Sequence, residues 1–433
     1  MTEVFTRPAP PHRRVVVTGV GLLTSAGLGI HQAWDSLRQR APKPSPWSAP
    51  PPAQHVSFPA FQLPEYDLAE LGVPGGCLRW LESDGLSGAK DLSHLLGATA
   101  LALGDADLPV DLSQADDRAA VIVANESPGF EQLTHHLFQF VGDLELPDTP
   151  QELFDLLVAD FFQLNTFLLP YYVARAFKLE GLSLFVNSAC SSGLNAVEIA
   201  AQQIRVGDSK IALAAGSDNP LSLAKFMWFH GLGLYALDGV LRPFDPDQTG
   251  TVFGDGGATL VLEDYEHARA RGARIYAEYL GSGFAQDGWK IAMPNPLKGK
   301  ARQALDSALE SSHLRPAEVD LVVPHGVGAP ASDQYEGMVL NQVFSELDEL
   351  PPVSTFKPLV GHNLGGSALT ELAMLMAAFH HQTIPPTLGH RRAFPRNALP
   401  VVTEWRESDF DVAVKLTCAF AGFYGASAFR RAA

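Results

Sequence analysis

The sequence predicts an α/β protein whose β-sheet is covered by helices on both faces. Two observations lead to this class. Short apolar runs with the length of buried strands recur along the 433-residue chain, and many of them are separated by segments whose apolar residues follow a helical period. Strands that alternate with helices in this way are typical of sheets with a helical layer on each face.

The first half of the chain opens with an apolar run at 14–18, which predicts a buried strand, and Gly19 and Gly21 after it predict a tight turn. A dinucleotide-binding loop is disfavoured because Thr24 stands where its third glycine belongs. Seven prolines within 42–59 predict an irregular surface excursion. Further strands are predicted at 119–123, 183–186, 211–215 and 259–262, and helices near 31–37 and at 90–103 and 194–205, with 130–178 mostly helical.

The second half repeats this order in outline. A charged segment at 264–271 predicts a helix that joins two halves, 1–263 and 264–433. The elements that follow are strands at 275–280, 320–323 and 412–417 and helices at 301–311, 334–347 and 364–379. The shared order is weak support for an internal duplication, because no residue pattern repeats between the halves.

Composition and charge exclude several classes of function. A hydrophobic content of 46% with 18% charged residues is that of a soluble globular protein, and no apolar run reaches the roughly 18 residues of a membrane span. The formal net charge of −17 argues against nucleic acid or an anionic membrane as a partner. Three cysteines are too few for a disulfide framework, and the N-terminus lacks the features of a secretory signal, so we expect a cytoplasmic protein.

The segment 187–193 places Cys190 among small residues between a predicted strand and a predicted helix. Most buried cysteines are inert, but small neighbours here allow a ligand to approach closely. The N-terminus of the helix would lower the pKa of the thiol, and its free N–H groups could stabilise an oxyanion. These features suit a nucleophile that forms an acyl thioester.

Two histidines follow apolar runs in the second half. His325 comes after the predicted strand at 320–323, where α/β folds place ligands, and His362 precedes an apolar helix. Either could be structural by itself, but together with Cys190 they suggest a Cys-His-His site. Zinc is disfavoured because the spacings fit no compact ligand pair and a metal would occupy the sulfur needed for acyl transfer.

The segments 187–193, 324–328 and 357–362 resemble the three active-site segments of β-ketoacyl-acyl-carrier-protein synthases, the decarboxylating condensing enzymes of the thiolase fold. The opening strand, the loop at 242–258 and the segment at 272–278 extend the resemblance over nearly the whole chain. The resemblance implies a thiolase-like fold with two similar halves in a layered α-β-α-β-α arrangement. It also implies a homodimer that needs no cofactor, because the substrates are carried on the phosphopantetheine of an acyl carrier protein.

The resemblance further implies a role for each matching residue. Cys190 accepts the primer acyl group, and His325 and His362 bind the malonyl thioester and stabilise the enolate that forms as carbon dioxide leaves. Lys357 orders the site without attacking the substrate, and Glu336 matches its usual acidic partner. Asp333 matches the acidic residue that the family has between them in this motif.

Departures from the family pattern concern the substrate. Val327 and Ala329 stand where the family has threonines that hydrogen-bond the phosphopantetheine arm, so the arm must be held differently or less tightly. In the C-terminal glycine-rich segment, either Gly422 replaces a gating phenylalanine or Phe420 and Phe423 match the aromatic residues of aromatic-polyketide relatives. The second oxyanion donor is therefore expected within 420–423. Residues 161–172 and 226–228 are nominated for the acyl pocket and the dimer interface.

Three functions remain open from the sequence. The leading hypothesis is an elongating ketosynthase of a specialised fatty-acid or polyketide pathway, since Cys190, Lys357 and both histidines are intact. The second is a non-condensing partner subunit that sets chain length in a heterodimer with a related subunit. The third is an acyltransferase that uses Cys190 but does not decarboxylate its substrate.

Overall fold

The computed structural model describes residues 13–51, 53–116, 118–130, 134, 149–152 and 164–432. Its strands are β1 (Val15–Thr24), β2 (Gly27–Leu28), β3 (Ser45–Ser48), β4 (Ser57–Ala60), β5 (Ala120–Ala124), β6 (Ser183–Val186), β7 (Ile211–Asp218), β8 (Gly256–Asp264), β9 (Ala277–Gln286), β10 (Leu321–Val323), β11 (Thr383–Ile384), β12 (Arg406–Glu407), β13 (Val412–Cys418) and β14 (Phe423–Arg431). Its helices are α1 (Ile30–Gln39), α2 (Gly75–Ser83), α3 (Lys90–Asp105), α4 (Leu168–Phe177), α5 (Ser192–Arg205), α6 (Leu223–Gly231), α7 (Tyr265–Ala270), α8 (Lys300–Ser311), α9 (Pro330–Val343), α10 (Lys357–Val360) and α11 (Ser367–His381). None of the helices in these ranges has the length and hydropathy needed to cross a bilayer.

The two halves of the chain repeat one strand arrangement. The first half has the order β6-β5-β7-β8-β1, and the second half has β10-β13-β14-β9. In each half one parallel pair, β5–β7 or β10–β13, is followed by two antiparallel pairs. The halves join where β1 pairs with β9 at residues 15–17 and 277–279. The similarity of the two halves, expected from their element order, is therefore present in their strand pairing. We propose that the halves divide at 263/264, just before the last residue of β8.

Alternating side chains of the strands face two different layers of helices. On β5, Ala120 and Ile122 belong to a core cluster with α5 and α11, whereas Val121 and Val123 belong to a cluster with α3 and α4. In the second half, Ala413 of β13 faces the same central cluster, while the next residue along the strand packs with α8 and α9. Helices α5 and α11 thus form a layer shared by both halves, as the layered arrangement requires.

Several segments differ from the sequence-based expectation. The tight turn predicted at 19–21 is wrong, because β1 continues to Thr24. Gly19 and Gly21 serve close packing instead, since a Cβ atom at either would overlap the backbone of α3. The excursion predicted at 42–59 contains β3, which pairs with β4 in an antiparallel hairpin. Elements α2, α6 and β14 were not predicted. Within 130–178 the structure describes α4 and further helical residues at 130, 134 and 150–152.

We predict that Gly21→Ala lowers the midpoint of thermal unfolding, because the added methyl group would overlap the carbonyl oxygen of Ala98 in α3. Overpacking of this kind costs about 1–3 kcal/mol. Gly104→Ala is the matched control, since a Cβ atom there has no neighbour within 4 Å and alanine favours the helix. Equal midpoints for the two variants, measured by circular dichroism, would show that β1 and α3 can move apart freely.

Candidate active site

Cys190, His325 and His362 come together at the ends of three different elements. Cys190 lies just before α5, His325 follows β10, and His362 lies in the loop after α10. The Sγ atom of Cys190 is 3.3 Å from Nε2 of His362, and the two imidazole ring centroids are 5.6 Å apart at an interplanar angle of 81°. One donor atom from each residue lies within 4.8 Å of the others. The three predicted residues therefore form one compact, buried group.

Small residues shape the turn that presents Cys190. Ala189 adopts a left-handed conformation with φ of 51°, so the chain reverses direction directly before the thiol. Ser192 fixes this turn, because its Oγ atom accepts from the N–H of Ser188 and donates to the carbonyl of Ala189. Gly193 lets α5 approach α11, since a Cβ atom there would lie 3.0 Å from the backbone nitrogen of Leu369. The N-terminus of α5 consequently begins two residues after the thiol of Cys190.

The thiol of Cys190 does not have the lowered pKa expected from the sequence. Burial raises its pKa well above the usual value, and the nearby carboxylates of Glu126 and Asp218 raise it further, while Lys357 opposes them. The expectation was wrong because the residue is only 4% exposed, and desolvation of a thiolate outweighs the attraction of a helix N-terminus. The thiol is therefore neutral at physiological pH and needs a proton acceptor when it reacts.

Both histidines are held in the neutral form. Burial lowers the pKa of His325 and of His362 well below the ordinary range, and the positive charge of Lys357 lowers both further. The Nδ1 atom of His362 lies 3.1 Å from Oγ of Ser367. When Nδ1 donates to that oxygen, Nε2 is the acceptor that faces the thiol of Cys190.

A buried carboxylate, that of Glu371, lies between two lysines next to the His325 loop. The Nζ atom of Lys357 donates to the carbonyl of His325 and to Glu371, each at 2.6 Å. The Nζ atom of Lys415 lies 2.9 Å from the same Glu371 oxygen and donates to the carbonyl of Pro324 at 2.8 Å. The assignment of Glu336 as the acidic partner of Lys357 was therefore wrong. The partner is Glu371, which lies about one turn from the start of the otherwise apolar helix α11.

Sequence reasoning missed Glu371 and Lys415, although a signal was present. Each is a charged residue inside an otherwise apolar run, Ser367–His381 for the glutamate and Val412–Cys418 for the lysine. A charge in such a position is rarely buried unless it is paired. The pairing could not be deduced, because the partners come from separate elements.

Glu336 and Asp333 hold the backbone of the His325 loop instead. Glu336 accepts from the N–H groups of His325 and Gly326 at 2.6 and 2.9 Å. Asp333 accepts from the N–H groups of Val327 and Gly328, each at 3.1 Å. Burial raises the pKa of each carboxyl group to about 7. These two residues of α9 thus fix the position of the imidazole through the main chain.

The cavity next to Cys190 has a largely apolar wall. Val327 and Ala329 both line it, together with Phe420 and with Met293 from the loop after β9. Gly422 and Phe423 lie in the same turn as Phe420, and Gly422 has φ of 72°. Two N–H groups of 420–423 are already bonded: that of Ala421 to the carbonyl of Ile291 and that of Phe423 to the carbonyl of Phe420. The N–H groups that remain as candidates for the expected oxyanion donor are those of Phe420 and Gly422.

The residues nominated for the acyl pocket are only partly described. Positions 161–163 lie outside the described residues. Phe226 is buried and stacks on Phe58, with ring centroids 4.7 Å apart. Trp228 is 45% exposed and contacts Phe420, whose ring centroid is 5.6 Å away. None of the described nominated residues lines the cavity next to Cys190, and Trp228 touches its wall only through Phe420.

Glu126 is a further carboxyl group that sequence reasoning missed; the residue is half-buried, and its Oε2 atom is buried. It follows β5, and its N–H donates to Asp218 at 3.1 Å. Its Oε2 atom makes no hydrogen bond to any residue that the structure describes. Burial, and then the charge of Asp218, raise its pKa to about 7, while Lys225 opposes the shift. Its position after β5 corresponds to that of His325 after β10 in the other half.

Comparison with known proteins gives a consistent result over the whole chain. The N-terminal domain of beta-ketoacyl synthases matches residues 94–268 and the C-terminal domain matches residues 276–391. Nodulation protein E of Rhizobium leguminosarum bv. trifolii is 30% identical, with 90% of this chain and 92% of that protein covered. A putative polyketide beta-ketoacyl synthase 1 of Streptomyces halstedii is 29% identical over 96% and 97% of the two chains. The solved ishigamide ketosynthase/chain length factor has a TM-score of 0.84 at 28% identity and covers 98% of this chain and 100% of its own.

We predict that Glu371→Ala destabilises the fold severely, because it leaves Lys357 and Lys415 buried without a counter-ion. Breaking a buried ion pair from one side costs about 3–5 kcal/mol. Asp306→Ala is the control, since it removes a carboxylate from the exposed pair with Arg302, which is worth about 0–1 kcal/mol. Denaturant unfolding monitored by fluorescence measures both. Similar losses in the two variants would contradict the role given to Glu371.

We predict that Glu126→Gln makes Cys190 more reactive towards iodoacetamide, because it removes a negative charge that raises the pKa of the thiol. The pH profile of alkylation should move to lower pH. At a fixed pH below the pKa of the thiol, the rate should rise about tenfold for each unit by which that pKa falls. Asp306→Asn, a change on the exposed surface, should leave the profile in place. Peptide mapping must locate the label, because Cys418 also lines the cavity. An unchanged profile for Glu126→Gln would refute the coupling.

Proposed function

The chain belongs to the β-ketoacyl synthase family, and we propose that its Cys190 holds the acyl chain during condensation. The reaction is the decarboxylative Claisen condensation of an acyl thioester with malonyl-carrier protein, which gives β-ketoacyl-carrier protein. Family membership and the structural match confirm the thiolase-like fold and the condensing activity expected from the sequence. The observation that supports the role of Cys190 is its 3.3 Å contact with Nε2 of His362, with His325 on the same cavity.

The first half-reaction moves the acyl group onto the enzyme. Sγ of Cys190 attacks the carbonyl carbon of the incoming thioester as its proton passes to Nε2 of His362. The oxyanion is stabilised by the N–H of Cys190, near the N-terminus of α5, and by that of Phe420 or Gly422. The C–S bond to the phosphopantetheine then breaks, and the departing sulfur takes the proton. This sequence requires a neutral imidazole, which agrees with the lowered pKa of His362.

The second half-reaction forms the carbon–carbon bond. The neutral imidazole of His325 donates a hydrogen bond to the carbonyl oxygen of the malonyl thioester. His362 does the same in its other tautomer, in which Nε2 carries the proton and Nδ1 accepts from the hydroxyl of Ser367. The bond between the α-carbon and the carboxylate breaks, carbon dioxide leaves, and the electron pair remains on the enolate that the imidazoles stabilise. The α-carbon attacks the acyl carbonyl, the C–S bond to Cys190 breaks, and the released sulfur takes up from solvent the one proton that the condensation consumes. Lys357 touches neither substrate and holds the main chain of His325 through its carbonyl.

The partners follow from the same proposal. An acyl carrier protein delivers both substrates, and the pathway is a specialised fatty-acid or polyketide pathway in the cytoplasm. We propose that the protein is a homodimer. We also propose that it uses no metal or cofactor, because a metal bound by Cys190 and the two histidines would block the sulfur that must form the thioester. A heterodimer with a related subunit is the alternative, supported by the similarity to a ketosynthase/chain length factor pair.

The intact nucleophile favours condensation over a purely structural partner role. A subunit that only sets chain length has no need for a thiol within hydrogen-bonding distance of an imidazole. An acyltransferase without decarboxylation would need one histidine as a base, whereas here both imidazoles face the cavity. Release of carbon dioxide from malonyl-carrier protein separates condensation from this last function.

We predict that Cys190→Ala lowers the formation of β-ketoacyl product by more than about a thousandfold, as loss of a catalytic nucleophile does elsewhere. Acyl- and malonyl-carrier protein are supplied, and product is followed by mass spectrometry. The wild-type protein should also gain one acyl group on the peptide that contains Cys190. Cys77→Ala, which removes a thiol packed beside Leu81 in another core cluster, should keep both properties. Normal product from Cys190→Ala would overturn the assignment of the nucleophile.

A further inference from the structure

The wall of the cavity beside Cys190 contains a buried hydroxyl group without a partner. Thr251 is 1% exposed and lines the cavity with Cys190, His325 and His362. Its Oγ1 atom makes no hydrogen bond to any residue that the structure describes. Buried hydroxyl groups in folded proteins are nearly always paired, so an unpaired one on a residue that lines a substrate cavity indicates a group that a ligand completes.

The main chain holds Thr251 firmly in place. Its N–H donates to the carbonyl of Leu234 at 2.8 Å, and its carbonyl accepts from the N–H of Ala236 at 2.9 Å. With both main-chain groups bonded, the side chain supplies the free polar atom of this residue. Threonine is also stiff about its first side-chain torsion. The side chain is thus held at a fixed position in the cavity wall.

Thr251 lies between the two histidine loops. The residue before it, Gly250, donates to the carbonyl of Gly328 in the His325 loop at 2.9 Å. The residue after it, Val252, accepts from the N–H of His362 at 2.8 Å. Thr251 is therefore tied through the main chain to both histidine loops and lines the same cavity as the two imidazoles.

The surrounding wall leaves few other polar groups for a substrate arm. Val327 and Ala329 are apolar, and so is Phe229 on the facing side. The hydroxyl of Tyr424 also reaches the wall, but it already donates to Asp287 at 2.7 Å. Ser332 is half-buried and belongs to the first turn of α9. Among these groups, Thr251 combines a fully buried position with an unused hydrogen-bonding capacity.

We propose that the hydroxyl of Thr251 hydrogen-bonds an amide of the phosphopantetheine arm. It would thereby supply the hydrogen bond that the apolar side chains of Val327 and Ala329 cannot make. This inference rests on the proposed function, because it requires a carrier-bound thioester in this cavity. An amide next to the thioester offers both a donor and an acceptor, and a threonine hydroxyl can pair with either. Thr251 is a specificity residue that recognises the arm and does not take part in bond breaking.

The test compares two acyl donors that differ only in the amide. One is an N-acetylcysteamine thioester, and the other is the S-pentyl thioester of the same acyl group, which has no amide. The measurement is the rate of Cys190 acylation by mass spectrometry. Thr251→Val keeps the shape of the side chain and removes the hydroxyl. It should lower kcat/KM for the N-acetylcysteamine thioester about five- to tenfold, mainly through KM, and leave the S-pentyl thioester unaffected.

The matched control is Thr370→Val. Thr370 is 3% exposed, and its hydroxyl also has no partner among the described residues, but it lies on α11 and is not one of the residues that line the cavity. The same chemical change there should leave the ratio of the two donors unchanged. Thr251→Ser, which restores a hydroxyl, should recover most of the preference for the amide.

Two results would overturn the proposal. An equal loss with both donors would show that Thr251 acts through the histidine loops, and no loss with either would show that its hydroxyl does not contact the acyl donor. The proposed function is judged separately by the wild-type protein. Failure of the wild type to acylate Cys190 with either donor or with acyl-carrier protein would refute that function, whatever the Thr251 variants do.

Discussion

The buried carboxylate of Glu371 between Lys357 and Lys415 is the interaction on which the site depends. It links α10, α11 and β13, and the two lysines also bond the carbonyls of Pro324 and His325. Burying three charges is unfavourable unless each is paired and hydrogen-bonded, and this cluster satisfies that condition with main-chain oxygens of the active-site loop. Burial lowers the pKa of both histidines most, and the positive charge of the two lysines lowers it further. One group of residues therefore fixes the geometry of the site and helps to keep its imidazoles neutral.

The duplicated architecture explains why these residues meet. Strands β5 and β10 occupy equivalent places in the two halves, and the first ends beside Glu126 while the second ends beside His325. Helices α5 and α11 form the shared layer, so the N-terminus of α5 at Cys190 and the turn before α11 at His362 face one another. Two halves with one pairing pattern thus supply different chemistry from equivalent positions: a nucleophile and a carboxyl group from one, and two imidazoles from the other.

The sequence was sufficient where the signal was local. The predicted segments around Cys190, His325 and His362 are short, and each combines a reactive residue with small neighbours or glycines. The sequence was insufficient where the outcome depends on contacts across the chain. Gly19 and Gly21 indicated a turn, but their role is to let β1 approach α3, which no local pattern contains. The partner of Lys357 was misassigned for the same reason, since Glu371 comes from another element. The missing hydrogen bond of Thr251 is likewise a property of its surroundings.

The raised pKa of Cys190 identifies which step the site is arranged to stabilise. A thiolate–imidazolium pair would make the sulfur a better nucleophile. Burial, together with the charges of Lys357 and Lys415, disfavours an imidazolium, and burial, together with the carboxylate of Glu126, disfavours a thiolate. Both effects favour the neutral pair. A neutral imidazole still donates a hydrogen bond to the enolate, whereas an imidazolium would stabilise the charged malonyl carboxylate and so disfavour the loss of carbon dioxide. The electrostatics therefore favour decarboxylation and condensation over a permanently activated thiol, which agrees with acylation that depends on proton transfer to His362.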